Sequence, residues 1–208
     1  DNGFMGSGKL IAVLDAGFFG ADTHPGFDSL MTSGRLTDVF NFVNNNTSVY
    51  TSDAHGAQVL STIAGFVPGA YVGTAPKAMF ALYVTEYGGS EHPLEMDNML
   101  AASERADSLG ADIITESLGY DLFDNIADGQ SFSDLDGKTT IAAKAANIAT
   151  KKGMLFVASA GNNGSGIPGW GNHVLTPGDA DSALTIGAVD YAGNIIGLSS
   201  YGPNAAGR

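Results

Sequence analysis

Residues 10–18 read LIAVLDAGF, an apolar run that ends in an aspartate and a small-residue turn. Similar apolar runs follow at 79–84 (MFALYV), 112–115 (DIIT), 154–158 (MLFVA) and 184–189 (LTIGAV). Each run is nearly continuous rather than alternating, which is typical of strands buried on both faces of a sheet. The stretch 10–18 therefore predicts the first central strand of a parallel sheet.

Helical patterns separate these runs, over residues 55–64, 93–109 and 138–152. The second pattern stops at Gly110, and the third ends in two lysines before Gly153. Lysines in the last turn and a glycine just beyond it are typical of helix ends. Strands that alternate with helices predict an α/β fold with a mainly parallel central sheet. No repeat or linker divides the chain, so one domain is expected.

Composition excludes several classes of function. The 208 residues carry a net charge of −13, so a general basic field for nucleic acid or anionic lipid is absent. The chain has no cysteine, which excludes disulfides, thiolate metal sites and thiol nucleophiles. Hydrophobic residues make up 44 %, which excludes a disordered acidic tail. No apolar run reaches the ~18 residues of a membrane span. A signal peptide, if one exists, has to lie outside these residues, because the N-terminal sequence does not have that layout.

Two glycine-rich motifs suggest nucleotide binding and are better explained as turns. Gly3–Lys9 (GFMGSGK) nearly matches a phosphate-binding loop, but Leu10 replaces the required Ser or Thr and the segment runs into a strand. Gly164–Gly169 (GSGIPG) matches G-x-G-x-x-G after a strand, and Asp190 has the acidic-residue spacing. Pro168 and the residues after it do not continue as a helix, so no helix N-terminus meets a pyrophosphate.

The loop 121–136 is rich in aspartate and raises the question of a metal site. A calcium-binding EF-hand that started at Asp124 would need a polar ligand at Ile126 and a glutamate at Leu135, and both are wrong. A solvated acidic loop is the expected structure, with an irregular calcium site as the alternative.

Three polar residues stand where chemistry is expected. Asp15 ends a buried strand, and active sites form at the carboxyl edge of a parallel sheet, although a turn or capping aspartate would look the same. His55 opens an amphipathic helix, whose N-terminus disfavours the imidazolium, or it is an exposed loop histidine. Asn162 follows the strand FVAS and offers an amide to a developing oxyanion, or it is part of an ordinary Asn-Gly turn.

In residue type and in order, D-A-G (15–17), H-G-A-Q-V (55–59) and A-S-A-G-N-N-G (158–164) resemble the subtilisin-like serine proteases, the subtilases. Further matches are G-T-A-P-K-A (73–78), S-L-G (117–119) and the stretch TPGDADSALTIGAVD to LSSYGP (176–203). The form with D-A-G-F and S-L-G-Y resembles subtilases of Bacteroidetes-type bacteria. These matches cover nearly the whole chain, and six in the right order are far more specific than any one.

The resemblance implies a subtilisin-like three-layer sandwich and a serine endopeptidase that acts on polypeptides. It implies that Asp15 orients the histidine, that His55 is the general base and then the acid, and that Asn162 is half of the oxyanion hole. It implies a substrate pocket bracketed by two segments, formed by Ser117, Leu118, Gly119, Ala158, Ser159, Ala160 and Gly161. Calcium is common in subtilases, but no metal ligand can be named here, and no other cofactor is expected.

The nucleophile of the family is missing from these residues. It stands in G-T-S-x-A, downstream of S-S-x-G-P, and no such motif occurs before Arg208. Ser165, Ser199 and Ser200 match no nucleophile position. We therefore expect 1–208 to be a partial catalytic domain, inactive alone, with the remainder of the enzyme as a separate fragment or outside this sequence. The nucleophile helix of the family packs in the core, so without it apolar surface is expected to be exposed.

Two other functions remain open at this point. One is a non-catalytic subtilase-like module that binds protein, and the other is a nucleotide-binding α/β enzyme that uses the glycine motifs. The family favours a secreted or cell-surface protease. Glu116, just before the S-L-G segment, stands where a small or polar residue is expected, and the sequence gives no account of it.

Overall fold

The structure is a computed structural model that describes residues 3–51, 53–164 and 171–208. The strands are β1 Leu10–Asp15, β2 Leu36–Asn41, β3 Phe66–Val67, β4 Tyr71–Val72, β5 Met79–Val84, β6 Ile113–Glu116, β7 Leu155–Ser159 and β8 Leu184–Ile186. The α-helices are α1 Asp28–Thr32, α2 His55–Ala64, α3 Leu94–Leu109 and α4 Ile141–Lys151. Short 3₁₀ turns occur at Pro25–Phe27, Ile126–Asp128 and Phe132–Asp134.

Six strands form one sheet in the order β2-β5-β1-β6-β7-β8, and all neighbours in it are parallel. The strands β3 and β4 form a separate antiparallel pair. In a parallel sheet the carboxyl ends of all strands meet at one edge, where binding sites form. The end of β1 at Asp15, the end of β6 at Glu116 and the end of β7 at Ser159 therefore lie side by side.

Helices cover both faces of the sheet. On one face, α3 and α4 pack their buried alanines and methionines against β1, β5, β6 and β7. On the other face, α2 packs Leu60 and Ala64 against Ile11 and Val13 of β1, with Leu30 of α1 beside them. This arrangement confirms the predicted three-layer α/β sandwich with a mainly parallel sheet.

The predicted strands and helices are found, with two differences at the edges of the sheet. The strand β2 was not predicted, since its polar Thr37 and Asp38 break the apolar run. Asp38 is tolerated there because Arg105 of α3 donates two hydrogen bonds to its carboxylate and the Tyr83 hydroxyl donates a third. The strand β8 ends at Ile186 rather than at residue 189, since the chain then leaves the sheet.

On the face that carries α2, the packed cluster of the described residues covers β2, β5 and β1 and reaches Ile113 of β6. Pairing places Leu155 beside Ile113 and places Leu184 and Ile186 on the same side of the sheet as Val13. Leu155, Leu184 and Ile186 are 42 %, 48 % and 50 % exposed. No helix among the described residues lies over them, so this part of the sheet presents an apolar face. We call Leu155, Leu184 and Ile186 the open apolar face.

Candidate active site

The structure brings Asp15 and His55 together at the carboxyl edge of the sheet. Asp15 is fully buried, and its Oδ1 lies 2.7 Å from His55 Nδ1. The same oxygen accepts a hydrogen bond from the Ala16 amide at 2.8 Å. The His55 side chain is 47 % exposed, so its ring reaches the surface while its partner stays dry. The structure thus brings together the two residues for which the sequence predicted an acid–base pair, and their catalytic roles stay a prediction.

Two glycines allow this close approach of strand and helix. A Cβ on Gly56 would lie 2.5 Å from the Gly17 carbonyl oxygen and 2.8 Å from the Asp15 Cβ. A Cβ on Gly17 would lie 2.7 Å from the Asp53 carbonyl oxygen. Heavy atoms do not approach that closely, so only glycine fits at either position. Glycine at both positions fixes the start of α2 against the end of β1 and so sets the distance from acid to base.

We expect Gly56→Ala to destabilise the fold by about 2 kcal/mol, since a methyl group has to be forced between buried backbone atoms. Urea unfolding of the variant measures this loss. Gly88→Ala is the matched control, because a Cβ on Gly88 meets nothing within 4 Å, and it is expected to leave the free energy of unfolding nearly unchanged. Equal unfolding free energies for the two variants would contradict this account of Gly56.

The electrostatics of the pair differ from the sequence expectation. The hydrogen bond from the ring to the Asp15 carboxylate raises the pKa of His55, against a smaller opposing effect of burial. The helix N-terminus was expected to lower it, and that expectation is wrong here because a carboxylate bonds directly to the ring. Burial raises the pKa of Asp15, although His55 opposes it. The stabilisation that comes from the raised pKa of His55 is fully present below pH ~6.5 and is lost as pH rises through the pKa of folded His55.

The two predicted substrate segments lie next to each other. Segment 117–119 follows β6 and segment 158–161 ends β7, and these strands pair directly. The Ser159 hydroxyl donates a hydrogen bond to the Leu118 carbonyl at 2.8 Å, which joins the two segments. Their assignment to a substrate pocket stays a prediction.

Leu175 fills the space between the segments, and sequence reasoning missed it. A Cβ built on Gly119 would lie 2.9 Å from Leu175 Cδ1, and one on Gly161 would lie 2.8 Å from Leu175 Cγ. Leu175 is itself buried, and its amide donates to the Ala160 carbonyl. No local signal could have found it, since it comes from a separate part of the chain.

Asn162 lies three residues beyond the end of β7, exposed at the same edge of the sheet as Asp15. Its oxyanion role stays a prediction. Two of the serines that match no nucleophile position are buried and engaged. Ser199 Oγ accepts from the Ala188 amide, and Ser200 Oγ accepts from the Asn163 amide. Ser165 lies outside the described residues.

The first glycine motif does not form a nucleotide site. The segment from Gly3 to Lys9 makes a turn, closed by a hydrogen bond from the Lys9 amide to the Gly6 carbonyl, and runs directly into β1. The motif Gly164–Gly169 lies, apart from Gly164, outside the described residues. The first motif therefore has the predicted turn structure, with a strand after it where a phosphate-binding loop needs a helix.

Several carboxylates in the two acidic groups of the described residues accept hydrogen bonds from protein donors. In the acidic loop, Asp134 accepts from the Ser131 amide and Asp136 accepts from the Lys138 and Thr139 amides. Elsewhere, carboxylate oxygens of Glu86, Glu91 and Glu95 lie within 4.8 Å of one another. Glu95 accepts from two backbone amides, and Glu86 accepts from two hydroxyls. We assign no metal ligand in either group.

A buried polar cluster next to the substrate segment explains the unexpected Glu116. Its side chain is 1 % exposed, and the hydroxyl of Tyr120 lies 3.0 Å from its Oε1. The same hydroxyl lies 2.7 Å from Glu86 Oε1. The sequence signal was the misplaced acid itself, but its partners could not be deduced, because Glu86 lies in the loop after β5, 30 residues before Glu116.

A buried aspartate bonded to a histidine is the arrangement by which many hydrolases orient the base that activates a hydroxyl nucleophile. The subtilase family model matches residues 6–208. The chain therefore belongs to the subtilase family.

Curated relatives and solved structures agree with this assignment. A thermophilic serine proteinase of Bacillus sp. (strain AK1) is 30 % identical over 199 residues, which cover 94 % of this chain and 42 % of that protein. Subtilisin Savinase of Lederbergia lenta is 29 % identical over 203 residues, 97 % of this chain and 63 % of that protein. The chain thus spans 42 % to 63 % of the length of these relatives.

The solved structures support the fold. The S218A mutant of the protease domain of PatA superimposes with a TM-score of 0.71 at 22 % identity, over 98 % of this chain and 66 % of that one. The prenylagaramide maturation protease PagA gives a TM-score of 0.67 at 24 % identity, over 94 % of this chain and 58 % of that one. Among the described residues, no helix is long and apolar enough to cross a membrane.

Proposed function

We propose that the protein to which this chain belongs is a secreted or cell-surface serine endopeptidase, and that this chain supplies the acid and the base of its triad. The observation that carries the proposal is the 2.7 Å contact between buried Asp15 and His55 Nδ1 in a subtilase fold. The nucleophile is a serine outside these 208 residues. The chemistry needs side chains only, so no cofactor belongs to the proposal.

In the proposed reaction the serine Oγ attacks the carbonyl carbon of the scissile peptide bond. His55 takes the serine proton on Nε2, the nitrogen that Asp15 leaves available, and then gives it to the leaving amine. Asp15 holds the ring with its proton on Nδ1 and stabilises the imidazolium. The side-chain amide of Asn162 donates to the oxyanion of the tetrahedral intermediate. Segments 117–119 and 158–161 hold the residue before the scissile bond.

The open apolar face supports a further packing partner for this chain. It lies on the same side of the sheet as α2, whose first residue is His55. A segment that packed there would stand next to the base and bury Leu155, Leu184 and Ile186. We propose that the remainder of the enzyme, with the nucleophile, occupies this position.

A fluorophosphonate probe tests the proposal on the full-length protein, because it reacts only with an activated serine. We expect one labelled serine, outside residues 1–208, and mass spectrometry of the labelled peptide locates it. Absence of labelling, with a folded protein, would leave the non-catalytic binding module as the function. Labelling of Ser165, Ser199 or Ser200 would overturn the assignment of the nucleophile.

Leu175 is expected to restrict the residue before the scissile bond to small side chains, since it fills the space between the two segments. Leu175→Ala should raise kcat/KM for phenylalanine relative to alanine at that position by at least about tenfold, because pocket volume of this size is worth about 1–3 kcal/mol. Paired peptide substrates measure the ratio. Val174→Ala is the control, since Val174 lies next to Leu175 in the sequence but its side chain is directed towards Gly178 and Gly202, 3.1 Å and 3.8 Å from a Cβ built on each. An equal change of the phenylalanine-to-alanine ratio in Leu175→Ala and Val174→Ala would exclude this role for Leu175.

A further inference from the structure

Two buried residues flank the substrate segment 117–119. Glu116 stands directly before it and Tyr120 directly after it, and both side chains are 1 % exposed. The Tyr120 hydroxyl oxygen lies 3.0 Å from Glu116 Oε1 and 2.7 Å from Glu86 Oε1. The two ends of the segment are therefore tied to each other and to the loop after β5 through one hydroxyl.

A count of protons constrains this arrangement. A phenol has one proton, so it donates to one carboxylate oxygen and cannot donate to two in two full hydrogen bonds. The second contact is a hydrogen bond only if a carboxyl group donates to the phenol oxygen. Otherwise the phenol oxygen and a carboxylate oxygen would face each other with no proton between them in a site without water, which is strongly unfavourable. The three side chains thus hold at least two protons between them.

We propose that Glu116 is a neutral carboxylic acid that donates to Tyr120, that Tyr120 donates to an ionised Glu86, and that these positioning residues hold the substrate segment in place. Glu86 is the ionised member because it also accepts from the Thr85 hydroxyl at 3.1 Å. Glu116 is the neutral member because its Oε2 has no hydrogen-bond partner within the described residues. The inference rests on the proposed function, since it concerns the binding of a peptide to segment 117–119.

The surroundings of the cluster favour the neutral acid. No basic side chain bonds to Glu86 or Glu116 among the described residues. The acidic groups that act on the cluster come from β1, from the loop after β5 and from α3, and they are Asp15, Glu91 and Glu95. The titratable base nearby, His55, is held by Asp15. Burial, with the negative charge of Glu86, raises the pKa of Glu116 to about 8. Burial raises the pKa of Glu86 as well, but the hydrogen bonds from the Tyr120 and Thr85 hydroxyls oppose that rise, so Glu86 gives up its proton before Glu116 does.

The sign of the pH effect follows from these shifts. A carboxyl group whose pKa is raised on folding stabilises its arrangement at low pH, and this contribution is lost as pH rises through the folded value. Above about pH 8 the shared proton leaves. Two carboxylates then compete for one phenol proton, and the hydrogen bond between Glu116 and Tyr120, which joins the two ends of segment 117–119, is lost. Peptide binding should weaken, so the effect should appear in KM rather than in kcat.

The test compares the full-length wild-type protein with Glu116→Gln over a range of pH. The glutamine amide keeps a donor to Tyr120 and does not titrate. We expect wild-type kcat/KM for a peptide to fall above pH 8, about tenfold per pH unit and through KM. In Glu116→Gln this fall should be absent up to about pH 9. Glu104→Gln, which removes an exposed acid of α3, is the matched control and should keep the wild-type fall.

The acidic side of the same profile gives an independent check. If Glu116 is neutral, its replacement by glutamine changes no charge near Asp15, and the acidic limb set by His55 stays in place. A shift of that limb to lower pH would mean that Glu116 is an anion, and would overturn the inference. An unchanged alkaline fall in Glu116→Gln would overturn it as well.

A titration that does not depend on catalysis separates this inference from the proposed function. The carbon-13 resonance of the Glu116 carboxyl group, identified by its loss in Glu116→Gln, should keep the position of a neutral acid at pH 7. If the wild-type protein has no peptidase activity, the proposed function fails, and the titration still decides the protonation of Glu116. A resonance that titrates near the ordinary pKa of glutamate would contradict the inference alone.

Discussion

Replacement of His55 by alanine is expected to reduce kcat for peptide hydrolysis by about 10⁶-fold, the size known for the subtilisin triad itself. The physical reason is that His55 is the base bonded to the buried Asp15 carboxylate. Without it the serine proton has no acceptor, and the leaving amine has no donor. Fluorophosphonate labelling of the full-length protein should fall in parallel. The residual hydrolysis should depend on proton transfer without a protein base, with stabilisation of the intermediate by the oxyanion hole.

The matched control is His92→Ala. His92 is exposed, and its ring contacts the edge of Tyr87, at 5.5 Å between ring centroids. The variant removes the same type of side chain at a position that is not bonded to Asp15, so kcat should stay near the wild-type value. A loss in His92→Ala equal to that in His55→Ala would mean that the measured effect is a loss of folding. Retained activity in His55→Ala would exclude the proposed mechanism.

Replacement of Asp15 by asparagine is expected to reduce kcat/KM by about 10⁴-fold at neutral pH, the size known for the same change in a serine protease triad. The new asparagine side chain can direct its amide N–H at Nδ1. An amide N–H is a donor, so Nδ1 then has to be the unprotonated nitrogen that accepts the hydrogen bond. The ring then takes the tautomer that cannot accept the serine proton. The variant should also move the acidic limb of the pH profile. Asp15 raises the pKa of His55, so the wild-type limb lies above the ordinary value of 6.5, and loss of the charge shifts it to lower pH.

The direction of that shift is the decisive readout for Asp15. A lower acidic limb together with a large loss of rate supports its role, whereas a loss of rate with an unmoved limb would mean that Asp15 acts on folding rather than on His55. Asp97→Asn changes the same functional group at an exposed position in the first turn of α3, away from His55, and should alter neither quantity. Circular dichroism of both variants confirms that the fold is intact.

The buried, regular elements of the fold could be predicted from local sequence. The central strands and α2 could be predicted because every residue of β1 is buried, which leaves an apolar pattern in the sequence. The rule that parallel strands end at one edge then placed Asp15 near other strand ends. The pairing with His55 rested on resemblance to a family, since nothing in the spacing of the two residues sets their distance.

Features that depend on distant partners could not be predicted. Strand β2 was missed because Asp38 makes it look like a loop until Arg105 of α3 satisfies the carboxylate. Leu175 was missed because its contact with two glycines joins separate parts of the chain. The direction of the His55 pKa shift was predicted wrongly, because a direct bond to a carboxylate outweighs the weaker field of a helix end.

The open apolar face has a consequence for the colloidal behaviour of this chain on its own. The 208 residues carry a net charge of −13, and like charges on two copies repel each other. The open apolar faces of two copies attract each other, because water is released when Leu155, Leu184 and Ile186 of both copies are buried. Added salt screens the repulsion, with a screening length of about 8 Å near physiological ionic strength, but leaves the apolar attraction in place. A chain of these residues alone should therefore stay dispersed in dilute buffer and associate as salt is raised.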